Sequence, residues 1–241
     1  EHLGRILIIS DAAHSLGAQR EGCKSGAAAD MTCISFHAVK NLTTAEGGAV
    51  TWKDCLFDSE LLYKQFMLLS LHGQDKDAFN KMRPGCWEYD IKTLGYKFNM
   101  TDITASLGIS QLKRYDNIIS RRHQIIEIYD KILKGDNIET LCHKGKDFYS
   151  SGHLYLTRIK GIGENKRNDI IYKMAEKGIA CNVHYKPLPM RTAYKELGFD
   201  INNYPNSYNQ YKNEITLPLH TMLTDEEAVY VGESLKETIN R

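Results

Sequence analysis

The chain has 241 residues, with 31 Lys and Arg against 30 Asp and Glu, a formal net charge of +1. Hydrophobic residues make up 42% and charged residues 25%, an ordinary globular composition whose length suits one large domain or two smaller ones. That balance gives no global attraction to nucleic acid or to an anionic membrane, and no apolar run approaches the ~18 residues of a spanning helix.

Taken in chain order, Glu1-His2-Leu3-Gly4-Arg5 is not a signal peptide, and Ile6-Leu7-Ile8-Ile9 follows at once, as in a fragment that begins inside a domain. Residues 5–11 predict a short buried strand, because a continuous β-branched run suits a strand covered on both faces of a parallel sheet. Two more strands are predicted over 31–36 and 48–52. Helix formers without a breaker run from about Asp58 to Leu69. Residues 74–98, with the turn pair Pro84-Gly85, read as a long loop. Thr101 is a candidate N-cap for a helix that runs to Lys134, bent near Asp116-Asn117, and stops at Gly135.

Residues 136–152 are polar and lead to a second unit. Alternation predicts a half-buried strand over 154–159. A helix over 165–177, closed by Gly178, and a strand over 179–184 follow. Thr224 and Glu227 have the spacing of a capping box, so the last helix starts there and ends near Asn240. The predicted organisation is the C-terminal part of a large α/β domain over 1–135 and a small α+β domain over 136–241. The six cysteines, Cys23, Cys33, Cys55, Cys86, Cys142 and Cys181, form no Cys-x-x-Cys pair. Reduced thiols, a cytoplasmic setting and no metal site are therefore expected.

Two polar clusters sit at predicted strand ends: Asp11-Ala12-Ala13-His14, and Ser35-Phe36-His37-Ala38-Val39-Lys40-Asn41. Ligands of open α/β sheets bind at the carboxyl ends of strands. An acid and a lysine placed there suit pyridoxal phosphate (PLP): an amine for the cofactor aldehyde, a carboxylate for the pyridine nitrogen. Taken singly, each residue has a plainer reading. A lone lysine is a solvated one, a strand-end Asp caps the next turn, and Ser35 and His14 satisfy nearby backbone. His37 is as readily a packed histidine. Gly47-Gly48 reads as tight backbone passage into the next strand rather than a phosphate cradle.

The blocks Asp11–Ala18 and Ser35–Gly48, with Gly95-Tyr96-Lys97-Phe98-Asn99-Met100-Thr101-Asp102-Ile103, closely resemble the DegT/DnrJ/EryC1/StrS family of PLP-dependent sugar aminotransferases. Asn182–Leu188 and Leu217-Pro218-Leu219 add weaker matches. The resemblance implies the fold type I, aspartate-aminotransferase-like architecture, and points toward enzymes of the UDP-4-amino-4-deoxyarabinose type. It makes Lys40 the Schiff-base lysine and proton shuttle, pairs Asp11 with the pyridine nitrogen, sets His14 near the ring and gives Ser35 the phosphate. It implies a nucleotide-linked keto-sugar, UDP- or dTDP-linked, as substrate, L-glutamate as donor, and a homodimer whose site is shared between subunits. His37, His72, His184 and Tyr185 are weaker candidates for substrate contact.

Two departures stand out. Many members read Gly-Tyr-Asn-Tyr-Arg where this chain has Gly95-Tyr96-Lys97-Phe98-Asn99, so the partner-phosphate contact passes to Lys97 or Asn99. The family also extends further at the N-terminus, where the phosphate loop and the ring-stacking aromatic lie. A truncated or non-catalytic protein of this fold, or a dehydratase of the same family, is the alternative. Lys40 speaks against the dehydratase, which typically has His there.

Overall fold

The computed structural model describes residues 4–56, 58–75, 84–85, 87–135 and 137–240. They fall into two units, one of residues up to Leu16 with Cys23–Arg114, the other of Gly17–Gly22 with Tyr115–Arg241. Cys86 lies outside the described residues.

In the first unit, strands β1 (Ile9–Asp11), β2 (Met31–Ser35) and β3 (Gly48–Trp52) form one sheet in the order β1-β2-β3. β1 and β2 are parallel, with Asp11 opposite Cys33, whereas β2 and β3 are antiparallel, with Ser35 opposite Gly48. Gly48 has no alternative, because a Cβ there would lie 2.7 Å from the Ile34 carbonyl oxygen. Asp30, 2% exposed, anchors the start of β2: it takes a two-pronged bond from Arg5 at 2.6 and 2.7 Å and a third from the Ile8 amide at 3.0 Å. Those donors hold its carboxyl well below the usual carboxylate range.

The buried strand expected over 5–11 is shorter and more open. Only Ile9–Asp11 is strand, and Ile6 and Ile9 are 87% and 59% exposed. Among the described residues β1 lies at the edge of its sheet, with β2 on one side only. Helix α1 (Ser59–Ser70) is capped by Asp58, whose side chain accepts from the Leu61 amide. Helix α2 (Asp102–Leu112) is capped by Thr101.

The long helix expected from Thr101 to Lys134 is two helices. α2 closes at Lys113, where the Arg114 amide turns back to the Gln111 carbonyl at 3.1 Å, and α3 (Tyr115–Leu133) begins anew. The second unit packs α3 with β4 (Ile138–Thr140), β5 (Tyr155–Ile159), α4 (Glu164–Glu176), β6 (Glu214–Leu217) and α5 (Asp225–Ile239). The sheet is antiparallel in the order β4-β5-β6. Tyr155, Thr157 and Ile159 of β5 are buried, as the alternation predicts. Ile125, Tyr129, Leu133, Ile170, Met174, Ile215 and Leu235 fill the core. The Thr224–Glu227 capping box forms at the start of α5.

No strand forms over 179–184. Asn182 and Thr216 make one bridge, after which side chains take the donors a strand would offer. The Val183 amide bonds Asn182 Oδ1 at 2.7 Å and the His184 amide bonds Glu214 Oε2 at 2.9 Å.

Candidate active site

The parallel pairing of β1 with β2 brings Asp11 and Ser35 to the same end of the sheet. Asp11 is exposed, and its Oδ1 accepts the Ala13 amide at 3.0 Å, so the acid does cap the turn after its strand. That bond leaves the second carboxylate oxygen without a hydrogen-bond partner among the described residues. His14 lies exposed in the same turn.

Beyond Ser35 the chain makes a closed loop that carries Lys40. The Phe36 amide bonds the Gly47 carbonyl at 2.8 Å, and the Thr44 amide bonds the Phe36 carbonyl at 2.9 Å. Inside this clasp, the Lys40 amide turns back to the His37 carbonyl at 2.9 Å. Ala45 adopts the left-handed conformation, φ 66°, stabilised by the bond from its amide to Thr43 Oγ1 at 2.9 Å. Lys40 is half-buried, and Nζ has no ion-pair or hydrogen-bond partner among the described residues. Ser35 Oγ accepts the His37 amide at 3.3 Å, a bond that leaves the hydroxyl hydrogen to give elsewhere. His37 Nε2 lies 3.8 Å from Glu46 Oε1 across the loop.

Lys97, Asn99 and His72 form a separate group at the end of α1. The His72 amide bonds the Tyr96 carbonyl at 2.7 Å, and the Tyr96 amide bonds the Leu69 carbonyl at 2.7 Å. Lys97 Nζ donates to Asn99 Oδ1 at 2.5 Å, so the two candidates for the phosphate contact are one hydrogen-bonded pair. Gly95 allows this approach: a Cβ there would sit 2.5 Å from the Gly73 nitrogen.

His184 and Tyr185 belong to the second unit. Their rings meet edge to face at 4.6 Å, and His184 Nδ1 lies 2.8 Å from Thr216 Oγ1. Behind them Glu214 is 1% exposed; burial holds its carboxyl above the usual carboxylate range against the opposing bonds from Thr216 and the His184 amide.

Sequence reasoning missed three supporting residues. Gln111 of α2 braces the lysine loop through Thr43. Asp30 pins the start of β2, and Glu214 sits beneath His184. A polar residue such as Gln111 on a helix face gives no signal of its partner, which lies 68 positions away. Asp30 and Glu214 sit at strand ends, where an acid reads as a surface residue.

A family model described as the DegT/DnrJ/EryC1/StrS aminotransferase family matches residues 2–236. The chain is 36% identical to an uncharacterised protein of Methanocaldococcus jannaschii, over 98% of this chain and 60% of that protein. It is 35% identical to a UDP-4-amino-4,6-dideoxy-N-acetyl-beta-L-altrosamine transaminase of Campylobacter jejuni, over 95% of this chain and 58% of the relative. Among solved structures, a candidate sugar aminotransferase of Streptococcus pneumoniae in its PMP-form is 55% identical with a TM-score of 0.92, covering 98% of this chain and 59% of its own. The same protein in its PLP-form has a TM-score of 0.92 at 52% identity, over 99% of this chain and 59% of its own. The chain thus spans about 60% of the length of these relatives.

Proposed function

The chain belongs to the DegT/DnrJ/EryC1/StrS aminotransferase family, and from that premise we propose that it serves PLP-dependent transamination of a nucleotide-linked keto-sugar with L-glutamate as donor. Its fold is that of type I PLP-dependent transferases, in a mixed α/β arrangement shared with the solved relatives. No helix among the described residues is long and apolar enough to cross a membrane.

The observation that carries the reading is Lys40: a half-buried amine without an ion-pair partner, held in a clasped loop at the strand ends that also bear Asp11 and Ser35. This donor set fits PLP. Lys40 Nζ suits the aldehyde, the second Asp11 oxygen suits a protonated pyridine nitrogen, and Ser35 Oγ suits the phosphate, with the Lys97–Asn99 pair as a second phosphate contact.

When bound, PLP supplies an electron sink that lets a C–H bond beside an amine nitrogen break heterolytically. Asp11 would hold the proton on the ring nitrogen and so keep that sink strong. Lys40 Nζ would take the proton from the donor's α-carbon and hand it on within the same pocket, needing no second base. The clasp at Phe36 and Gly47 fixes the backbone from which the Lys40 side chain extends, and orientation of that kind lowers part of the barrier. The name of the Campylobacter relative, a transaminase of a UDP-linked 4-amino sugar, supports a UDP-linked 4-keto sugar as substrate, and the resemblance of the family blocks supports a site completed by a second subunit. His14 would lie near the ring, and His37, His72, His184 and Tyr185 are proposed, from the family blocks alone, as substrate contacts.

The test uses the full-length protein loaded with PLP. Borohydride treatment should fix the cofactor to Lys40, seen as a mass increase on that peptide, and glutamate should release 2-oxoglutarate. Lys40→Ala should lose both. A Lys40→Ala variant with normal turnover, or cofactor fixed at another lysine, overturns the assignment.

A further inference from the structure

We propose that Gly108 and Thr44 are positioning residues for Lys40: the absent side chain at 108 leaves a notch in α2 that seats the Thr44 methyl group, and this contact sets where the lysine loop lies. The proposal rests on the reading of Lys40 as the amine that holds the cofactor.

Gly108 lies in the interior of α2, and its φ is not positive, so the backbone there does not call for glycine. A mid-helix glycine is less favourable than alanine, and the helix by itself gains nothing from it. The reason lies across the contact. A Cβ at 108 would come 3.0 Å from Thr44 Cγ2, closer than two carbon atoms pack at their optimum.

Thr44 has little room to yield. It is 1% exposed, its amide bonds the Phe36 carbonyl at 2.9 Å, and its hydroxyl donates to the Glu46 carbonyl at 2.8 Å. Turning the side chain away from α2 would break the second of these bonds. On its other side stands Gly47, where a Cβ would collide with Thr44 Oγ1. The helix is held as well. Gln111, almost one turn further along the same face, grips both backbone groups of Thr43 at 2.6 and 3.1 Å. A wider spacing at 108 must therefore be taken up by the loop as a whole.

That loop carries Lys40 four positions before Thr44. Leu42 and Thr44, 3% and 1% exposed, are its buried anchors, and Lys40 stands between them and the clasp at Phe36. An amine that must reach an aldehyde carbon, and later a proton on a substrate carbon, tolerates little error; a misplacement of about 1 Å can cost on the order of a hundredfold in rate. A glycine that served packing alone would leave a different signature, a change in stability with the amine's chemistry intact.

The experiment is a double-variant cycle in the full-length protein: wild type, Gly108→Ala, Thr44→Ser and the two together. Thr44→Ser keeps the hydroxyl bond and removes the methyl group, which makes room for the added Cβ. Two quantities are read: the affinity of the PLP-free protein for PLP, and the rate of the L-glutamate half-reaction at saturating PLP. Gly108→Ala alone should weaken PLP binding and slow the half-reaction, each about tenfold, with KM for glutamate unchanged. In the Thr44→Ser background the same Gly108→Ala change should have little effect on either. Wild-type affinity and rate in Gly108→Ala, whatever its melting temperature, overturn the proposal. Equal losses in both backgrounds also overturn it, because the Thr44 methyl group would then not be the contact that matters. Borohydride fixing the cofactor to another lysine in the wild type is a separate result, which removes the Lys40 reading and this proposal with it.

Discussion

Gln111 pairs its side-chain amide with both backbone groups of Thr43, accepting from the nitrogen at 3.1 Å and donating to the carbonyl at 2.6 Å, three residues after Lys40. A side-chain amide is the one group that can close such a ring with a backbone, since it offers a donor and an acceptor side by side. Gln111→Leu removes both bonds and leaves a partly buried amide and carbonyl unpaired. The expected cost is about 2 kcal/mol of stability, read as a lower midpoint in urea, with PLP bound about tenfold more weakly because Lys40 is less well held. Gln111→Glu keeps only the acceptor and should fall between. Unchanged melting and unchanged PLP affinity in Gln111→Leu would show that the loop does not depend on this brace.

Gly73 carries a second, different constraint. Its φ is +72°, and a Cβ there would collide with the Thr93 carbonyl oxygen. Gly73→Ala should cost on the order of 2 kcal/mol or more from the left-handed backbone and the clash together. The displaced strip is the one that bears Lys97 and Asn99. Weaker inorganic phosphate binding to the PLP-free protein, beyond what the stability loss explains, is the expected signature. A variant that melts normally would refute the close packing of these two segments.

What the sequence disclosed, and what it hid, follows from the range of the interactions. The capping box, the α2 cap and the alternation in β5 are local, within four residues, and each was legible. The roles proposed for Asp11 and Lys40 rest on the recognisable block their neighbours make; alone, Asp11 reads as the turn cap that it also is. The failed strand over 179–184 depended on Glu214, thirty positions away, capturing the His184 amide. Nothing in Ile179–His184 itself announces that competitor. Likewise the exposure of Ile9 in β1 is a matter of what packs over the sheet, and an apolar run cannot specify that.

The Thr224 cap is the simplest test of the second unit. Thr224 Oγ1 accepts the Glu227 amide at 3.1 Å, and Glu227 Oε2 accepts the Thr224 amide at 2.8 Å. Ala228, Val231 and Leu235 lie just beyond on the buried face of α5. Thr224→Ala should destabilise by about 1 kcal/mol, and Thr224→Ser should restore most of it. Equal melting of Thr224→Ala and the wild type would mean that the helix start is held by core packing alone.

His143 should make the second unit sensitive to acid. It is 6% exposed, stacks on Tyr155 at 5.7 Å, and bonds Ser150 Oγ through Nδ1 at 2.8 Å, while Nε2 has no hydrogen-bond partner among the described residues. Burial, with a smaller contribution from His123, pushes its pKa down to about 4. A histidine depressed in the folded state takes up its proton more readily when unfolded. Stability is therefore complete above pH 6.5 and is lost as the pH falls from 6.5 toward 4, by on the order of 2–3 kcal/mol. His123, also held low by burial, adds to the loss. Asp130, held above the usual carboxylate range by burial and bonded to Tyr155, works the other way by favouring its protonated form in the fold. Urea midpoints of the full-length protein between pH 7.5 and 4.5 measure the balance. His143→Phe keeps the stacked ring and removes the titrating group, so its midpoint should decline more gently than that of the wild type over this range. Parallel declines in the two proteins would place the acid sensitivity elsewhere.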